Sequence, residues 1–384
     1  MKGSIRALLN EQLTRSFREL ESRGLARSLE PVQGLDFESN DYLGWAKDPG
    51  FRKAVADRVV QWAALPSARF APGSRLLGGE TAEHRAVEGR LASWLREEAT
   101  LVFPSGWQAS CALLSALVEP TDRVISDAWN HASWIDAIRL SRASKVVVPH
   151  LDLDAYRRAL ETPHSGGKTL VVVESVYSMD GDLAPLRELF ELTEKFGALL
   201  LVDEAHATGL YGARGTGRVE ESGLEGKLAA RLLTFGKALA LQGAAIAGSR
   251  ELVHWIVQRA RPFLFSTAVT PLLLVGLEVA LDRLEAFPTV GQRARQLASL
   301  LRSGLERMGY GCRPDDSPIV PLLLGTNQRA LRVAGGLRER GFGVRAVRPP
   351  TVPEGTSRIR FSVHVDHREE DVERLLSTLK EVDG

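Results

Sequence analysis

LVVVESVYSMDGDLAPLRELFELTEKFGALLLVDEAHATG, residues 170–209, decides the fold. Leu170 to Val176 is an almost continuous apolar run rich in valine, which suits a strand better than a helix. A polar loop follows. In APLRELFELTEKFG the apolar residues then recur at helical spacing until Gly197 stops the helix. ALLLVD begins a second buried run. Two such runs joined by an amphipathic helix predict a parallel βαβ unit in a sheet covered on both faces. Ligands of these sheets sit beyond the carboxyl ends of the strands. Ser178, Asp203 and His206 all fall there. An aspartate closing a buried strand, with a histidine three residues on, is hard to explain by packing alone.

Further along, LTFGKALALQGAAIAG (residues 233–248) sets one lysine, Lys237, among small and apolar residues. Arg231 to Phe235 and Gly243 to Ala247 read as short buried strands, so Lys237 lies on a tight connection out of bulk water. Desolvation lowers a lysine pKa and leaves some neutral amine, the form that makes a Schiff base with an aldehyde. The Thr234 hydroxyl suits a phosphate nearby. Taken alone, Lys237 reads as a surface lysine between two strands, and the rest of the chain reverses that reading.

Upstream, ATLVFPSGWQASCALLSAL reads as strand, Pro-Ser-Gly turn and helix. The first amides of that helix, at Gly106 and Trp107, form an anion site favoured by the helix dipole. DRVISDAWNHASWIDAIRLS is a strand followed by a helix with His131 near its start, and such a histidine is either a cap or a functional group. Ile5 to Arg23 carries an apolar stripe of Ile5, Leu8, Leu9, Leu13, Phe17 and Leu20, an amphipathic helix. Glu83 to Leu95 is another helix. Asn40 and Asp41 sit in a polar turn. Past a hinge at Pro288 a smaller α/β unit is expected: a helix over 292–308, strands over 319–324, 343–347 and 358–363, a helix over 328–340 and a last helix. Arg358 and Arg360 share one face of their strand and suit a carboxylate, although an exposed sheet face bearing arginines explains them too. The expected organisation is an N-terminal helix and arm (1–45), a large domain (46–287) and a small C-terminal domain (288–384).

Composition narrows the function. A net charge of +1 over 384 residues implies neither a nucleic acid nor an acidic membrane surface as partner. Two cysteines without metal-ligand spacing fit a reduced, cytoplasmic protein and no metal centre. No window approaches a membrane span. VDEAHATG resembles the magnesium-binding strand end of nucleic-acid ATPases, but TPHSGGKT lacks the first phosphate-loop glycine and precedes its strand. GARGTG (212–217) follows a polar turn and fails as a dinucleotide fingerprint. Asp203 therefore needs a cationic partner other than a nucleotide's magnesium. The protonated ring nitrogen of pyridoxal phosphate is such a partner.

In order along the chain come SNDYLG, GSRLLGG, FPSGW, NHAS, SMDGDLAPL, VDEAHATG, TFGKA, FSTA and RPPTVPEGTSRIR. With this set the sequence resembles the α-oxoamine synthases, pyridoxal phosphate enzymes of the aspartate-aminotransferase-like α/β fold (fold type I), and within them the biotin-synthesis branch. The resemblance implies a large domain with a mostly parallel sheet and a smaller C-terminal α/β domain. It implies that Lys237 carries the cofactor aldehyde, Asp203 meets the ring nitrogen, His206 the ring hydroxyl and His131 the ring face. Gly106, Trp107, Ser178 and Thr234 would hold the phosphate or ring oxygens, and Ser266 and Thr267 would reach the phosphate of a second subunit in a homodimer. Arg360 would bind the amino-acid carboxylate, and Arg27, Asn40 and Thr351 the substrate or acyl arm. The implied reaction condenses an amino acid, alanine in this branch, with an acyl thioester on coenzyme A or acyl carrier protein, with loss of carbon dioxide. The chain departs from the family at Lys237-Ala-Leu-Ala-Leu-Gln, where many members have GK-x-x-G. It departs again at SARFAP and at Trp107, where Phe, Tyr or His is commoner.

Overall fold

A computed structural model describes residues 4–313 and 315–384. The chain opens with α1 (Ile5–Ser22) and β1 (Leu35–Asp36), then α2 (Pro49–Ala63) and α3 (Ala82–Leu95). Next come β2 (Ala99–Phe103), α4 (Gly106–Leu117), β3 (Arg123–Asp127), α5 (Ala132–Ser141), β4 (Ser144–Val148) and α6 (Leu153–Glu161). The βαβ unit follows as β5 (Thr169–Glu174), α7 (Leu186–Lys195) and β6 (Leu199–Asp203). Beyond it lie α8 (Arg218–Glu221), β7 (Ala230–Thr234), β8 (Ala244–Gly248), α9 (Arg250–Arg259), α10 (Arg261–Leu264) and α11 (Pro271–Ala286). The C-terminal part holds α12 (Gln292–Arg307), β9 (Ile319–Gly325), α13 (Asn327–Glu339), β10 (Phe342–Gly343), β11 (Ala346–Val347), β12 (Ser357–Ser362) and α14 (Glu369–Asp383). No helix among the described residues is long and apolar enough to cross a membrane.

The chain divides into two compact units, Asn40–Ser178 with Asp182–Arg295, and Met1–Ser39 with Met179–Gly181 and Gln296–Gly384. The larger one is built on a seven-stranded sheet of order β2-β8-β7-β6-β5-β3-β4. β4, β3, β5, β6 and β7 run parallel, and β8 runs antiparallel to both β7 and β2. The valine run explains the layering. Leu170 and Val172 enter one apolar core with Leu113 and Trp134, while Val171 and Val173 enter the opposite one with Tyr156 and Leu189. All four are fully buried, and each contributes roughly 1.5–3 kcal/mol. Gly197, at φ +61°, ends α7 and returns the chain to β6.

A wholly buried charged pair lies inside this unit. Arg231 on β7 and Glu204, just past β6, are both wholly buried and meet through Nη2···Oε2 at 2.7 Å. Glu204 also accepts the Arg218 amide at 2.9 Å, so the pair fixes the start of α8 to the sheet.

In the smaller unit β11, β12 and β9 form an antiparallel sheet, and β1 pairs in parallel with β10, Leu35 opposite Phe342. That pairing places the segment before Ser39 in this unit, and Phe37 joins Leu301, Val333, Phe342 and Phe361 in its core. The division after Arg295 falls inside α12, beyond Pro288. The single strand expected over 343–347 is two short strands in two sheets. Between them Val344 is buried in the core, and Arg345 turns away to the carbonyls of Ser28 and Glu30. The helix α1 forms as expected, capped by Ser4, but its apolar stripe is exposed, Ile5 by 87% and Phe17 by 61%.

Replacing Arg231 by leucine leaves Glu204 as a buried, uncompensated charge and is expected to cost about 3–5 kcal/mol. Denaturant midpoints of the two proteins measure this, and an unchanged midpoint would mean that the pair is dispensable.

Candidate active site

Four of the five parallel strands of the larger unit end in polar residues on one side of the sheet: Asp127 on β3, Glu174 on β5, Asp203 on β6 and Thr234 on β7. Glu174 and Asp203 are register partners, so two buried carboxyl groups lie side by side. Asp203 is held on both oxygens. Oδ2 accepts the indole Nε1–H of buried Trp134 at 2.7 Å, and Oδ1 accepts the Ala205 amide at 2.8 Å. Glu174 accepts the His131 amide. Burial, reinforced by the neighbouring charge of Asp203, pushes the Glu174 carboxyl well above the usual range, although the His131 amide and Lys237 oppose the shift. The neutral form of Glu174 is thereby favoured, while Asp203 is the carboxyl group with a donor on each oxygen.

Lys237 occupies the tight connection between β7 and β8. Its ammonium Nζ donates to Thr234 Oγ1 at 3.2 Å, and the turn closes through Leu241 N to Phe235 O and Ala240 N to Lys237 O. Gly243, at φ +109°, is needed there, since a Cβ would stand 3.0 Å from the Phe103 carbonyl and 3.1 Å from the Phe235 ring. The same packing brings the start of α4 against Thr234. A Cβ on Gly106 would lie 2.8 Å from Thr234 Cγ2. Ser105 caps α4 by accepting the Gln108 amide at 3.2 Å, which leaves the Gly106 and Trp107 amides without a carbonyl from a preceding turn. Helix start and Thr234 hydroxyl together make an anion cradle, with half-exposed Trp107 at its rim.

His131 caps α5, its Nδ1 accepting the Ser133 amide at 3.2 Å. The residue is exposed overall, yet loss of surrounding water lowers its pKa; Asp203 opposes that and Lys237 adds to it. His206 is buried just beyond Asp203, and its Nδ1 bonds the Tyr42 hydroxyl at 2.7 Å, which in turn donates to Asn40 Oδ1 at 3.2 Å. Ser178, half-buried, opens the loop after β5. Ser266 and Thr267 line a narrow cavity beside Pro104, Gln108 and Phe263.

The smaller unit holds the remaining candidates. Arg27 Nη2 donates to Thr351 Oγ1 at 3.3 Å, and both residues are exposed. Arg358 and Arg360 are both buried, so the exposed, arginine-bearing sheet face is ruled out. Arg358 is committed to Asp180 Oδ1 at 2.5 Å.

Glu174, Trp134 and Tyr42 escaped the sequence reading. VES at the end of β5 repeats the pattern of VDE at the end of β6, a buried strand closed by a carboxylate, and that signal was available. Nothing local marks Trp134 or Tyr42, because their partners lie 69 and 164 residues away.

The arrangement matches one type of ligand. A carboxyl group anchored on both oxygens suits a cationic ring, an amine stands on the adjoining turn, and the anion cradle lies beside that amine. These are complements of the ring nitrogen, aldehyde and phosphate of pyridoxal phosphate.

Comparisons with known proteins agree. The model of the family described as aminotransferase class I and II matches residues 32–379. An 8-amino-7-oxononanoate synthase of Anaeromyxobacter dehalogenans (strain 2CP-1 / ATCC BAA-258) is 42% identical over 376 residues, 94% of this chain and 93% of that protein. One from Herminiimonas arsenicoxydans is 37% identical, covering 97% and 99%. Among solved structures, a Sphingomonas wittichii serine palmitoyltransferase superposes with a TM-score of 0.88 at 27% identity over 99% of this chain and 98% of that one. The 8-amino-7-oxononanoate synthase of Francisella tularensis gives 0.77 at 25% identity over 91% and 98%. A serine palmitoyltransferase from S. paucimobilis with a TM-score of 0.87, 26% identical over 97% of this chain and 96% of that one, was solved with pyridoxal phosphate and myriocin bound.

Trp134→Phe removes the indole donor from Asp203 Oδ2 while keeping the ring in the core. The loss of a hydrogen bond to a charged group, about 1.5–3 kcal/mol, is expected to weaken pyridoxal phosphate binding roughly tenfold or more. Spectroscopic titration of the apoprotein with pyridoxal phosphate gives the dissociation constant, and a value equal to wild type would make the indole irrelevant to Asp203.

Proposed function

The chain belongs to the class I and II aminotransferase family, and on that premise we propose that it is a pyridoxal-phosphate-dependent acyltransferase of biotin synthesis, condensing L-alanine with a pimeloyl thioester to 8-amino-7-oxononanoate, carbon dioxide and free thiol. The observation that carries the reading is Asp203, fixed on both oxygens at the end of β6, with Lys237 held against Thr234 on the turn after the adjoining β7. Sequence relatives support the substrate assignment, since proteins named 8-amino-7-oxononanoate synthase share 37–43% identity across most of the chain.

When bound, pyridoxal phosphate supplies an electron-withdrawing ring that accepts the electron pair left on the amino acid's α-carbon. Asp203 would hold the ring nitrogen, His206 with Tyr42 behind it would hold the ring hydroxyl, and His131 would pack against the ring. The Gly106 and Trp107 amides, Ser178 and Thr234 hold the phosphate. Lys237 would hold the cofactor at its aldehyde, and its Nζ would serve as the base that takes the α-proton of the amino acid. Arg360 receives the alanine carboxylate, while Arg27, Asn40 and Thr351 steady the acyl donor. The α-carbon exchanges its proton for the acyl group as the thiolate departs, the carboxylate leaves as carbon dioxide, and the electron pair left behind takes up a proton again, for which Lys237 would be the donor.

The chain acts in this proposal as a cytoplasmic homodimer. The exposed apolar stripe of α1 supports a second copy as its cover, and Ser266 and Thr267 are assigned to that copy's phosphate. The thioester arrives on coenzyme A or on acyl carrier protein. A second reading, a sibling enzyme that uses glycine or serine, draws on the close superposition with serine palmitoyltransferases.

One assay separates them. Purified protein with pyridoxal phosphate and pimeloyl-CoA is offered alanine, glycine or serine, while thiol release and product mass are followed. Turnover with alanine alone is expected; turnover with glycine or serine but not alanine would transfer the chain to a sibling activity. Lys237→Ala is expected to lower turnover by a factor on the order of 10³ or more. Borohydride should fix the cofactor to Lys237 in the wild type alone. A protein that takes up no cofactor would be a non-catalytic scaffold.

A further inference from the structure

Outside the groups given a role above, one buried polar cluster stands at the same end of the sheet. His150, in the turn after β4, directs both ring nitrogens at carboxylates: Nδ1 to Asp127 Oδ1 and Nε2 to Asp182 Oδ2, each at 2.8 Å. A neutral imidazole donates through one nitrogen only, so two carboxylate partners select the doubly protonated cation. The ring is enclosed. Trp129 stacks on it at 3.9 Å between centroids, and Tyr177 meets it edge-on at 4.5 Å.

Each carboxylate organises a different piece of the site. Asp127 ends β3 and accepts the amides of Trp129 at 2.8 Å and Leu151 at 2.9 Å, which shapes the turn leading to His131. Asp182 closes the neck of the loop that starts at Ser178. There the Tyr177 amide donates to the Asp182 carbonyl at 2.9 Å, and Val176 and Leu183 form an isolated bridge.

We infer that His150 is a positioning residue: by bridging Asp127 and Asp182 it holds the turn that carries His131 and the loop that carries Ser178 in one fixed relation. The inference rests on the reading that both residues contact pyridoxal phosphate. His150 itself lies behind them and touches no reacting group.

The clamp depends on pH with a definite sign. Burial opposes the imidazolium, but the hydrogen bonds and charges of Asp127 and Asp182 outweigh it, so the folded pKa is raised above the ordinary value near 6.5. The other titratable groups facing the cluster are Tyr156 from α6, bonded to Asp127 at 3.3 Å, Tyr177, and Glu174 at the end of β5. Burial pushes both tyrosines up, so they remain neutral where His150 titrates. The charged clamp is complete below about pH 6.5 and is lost as pH climbs through the raised folded value.

The test is pyridoxal phosphate affinity of the apoprotein across the neutral and alkaline range, in wild type, His150→Gln and Asp182→Asn. Glutamine has one amide donor group and no charge, and it satisfies only one carboxylate. His150→Gln is expected to weaken binding about tenfold at neutral pH, the effect of losing one charged hydrogen bond, and to remove the alkaline fall in affinity that Lys237 does not account for. Asp182→Asn keeps the side-chain shape, should fold where His150→Gln does not, and should move that fall to lower pH. Trp129 emission, quenched by the stacked cation, reports the same titration without cofactor, His150→Gln serving as the blank for the other tryptophans. Wild-type affinity and pH profile in both variants would overturn the inference. A wild type that binds no pyridoxal phosphate would instead sink the functional reading beneath it. Should Ser178→Ala bind normally while the His150 variant binds weakly, the positioning role stands through His131 and the phosphate role of Ser178 falls.

Discussion

Two carboxyl groups at the ends of neighbouring parallel strands impose the constraint around which the larger unit is arranged. Glu174 and Asp203 face each other in register inside protein, where like charges interact far more strongly than in water. Both cannot stay ionised without a counter-charge. The chain resolves this asymmetrically: Asp203 receives an indole and an amide, the donors that favour an anion, whereas Glu174 receives one amide and is driven toward its neutral form. The result is one carboxyl group oriented by donors on both oxygens beside one driven toward neutrality. The opposite sign is supplied on the neighbouring turn by Lys237 and, when bound, by a cationic ring.

The same edge of the sheet also gathers positive electrostatic potential. The start of α4 abuts Thr234 because Gly106 has no side chain to separate them. A helix N-terminus and a hydroxyl donor thus lie next to an amine, while the Asp203 carboxyl lies one strand away and that of Glu174 two. An elongated ligand with a phosphate at one end and a protonated nitrogen at the other matches that gradient. Reversing either end would set like charges together, so the electrostatics choose the ligand's orientation as well as its class.

How far this was legible in the sequence follows from how local each cause is. Leu170 to Val173 announce a doubly covered strand because period and composition are properties of the run itself. Asp203, His206 and Lys237 were legible as polar residues ending or joining such runs, where packing gives them no purpose. The strand expected over 343–347 failed for the opposite reason. Apolar pattern does not say which partner a residue pairs with, and Phe342 and Ala346 find theirs in β1 and β12, respectively. Likewise Arg358 and Arg360 alternate like an exposed face, yet β12 lies in the middle of its sheet and the whole strand is buried. Tyr42 behind His206 and Trp134 behind Asp203 are contacts of topology, which no window of sequence contains.

Those hidden contacts share a design. Three of the groups assigned to the ligand are each backed by a residue with no such assignment: Trp134 behind Asp203, Tyr42 behind His206, and the Glu174 carboxyl under the His131 amide. A reacting geometry has to be held to within a fraction of an ångström, and a single torsion on a loop does not do that. Anchoring comes cheaply where the backing donor is already in the core, as Trp134 is, because packing has by then fixed its ring. His131 and Ser178 lie on turns instead, where the core offers no such ring. A charged bridge between two carboxylates is the device available there, and it brings with it a dependence on pH that an indole does not.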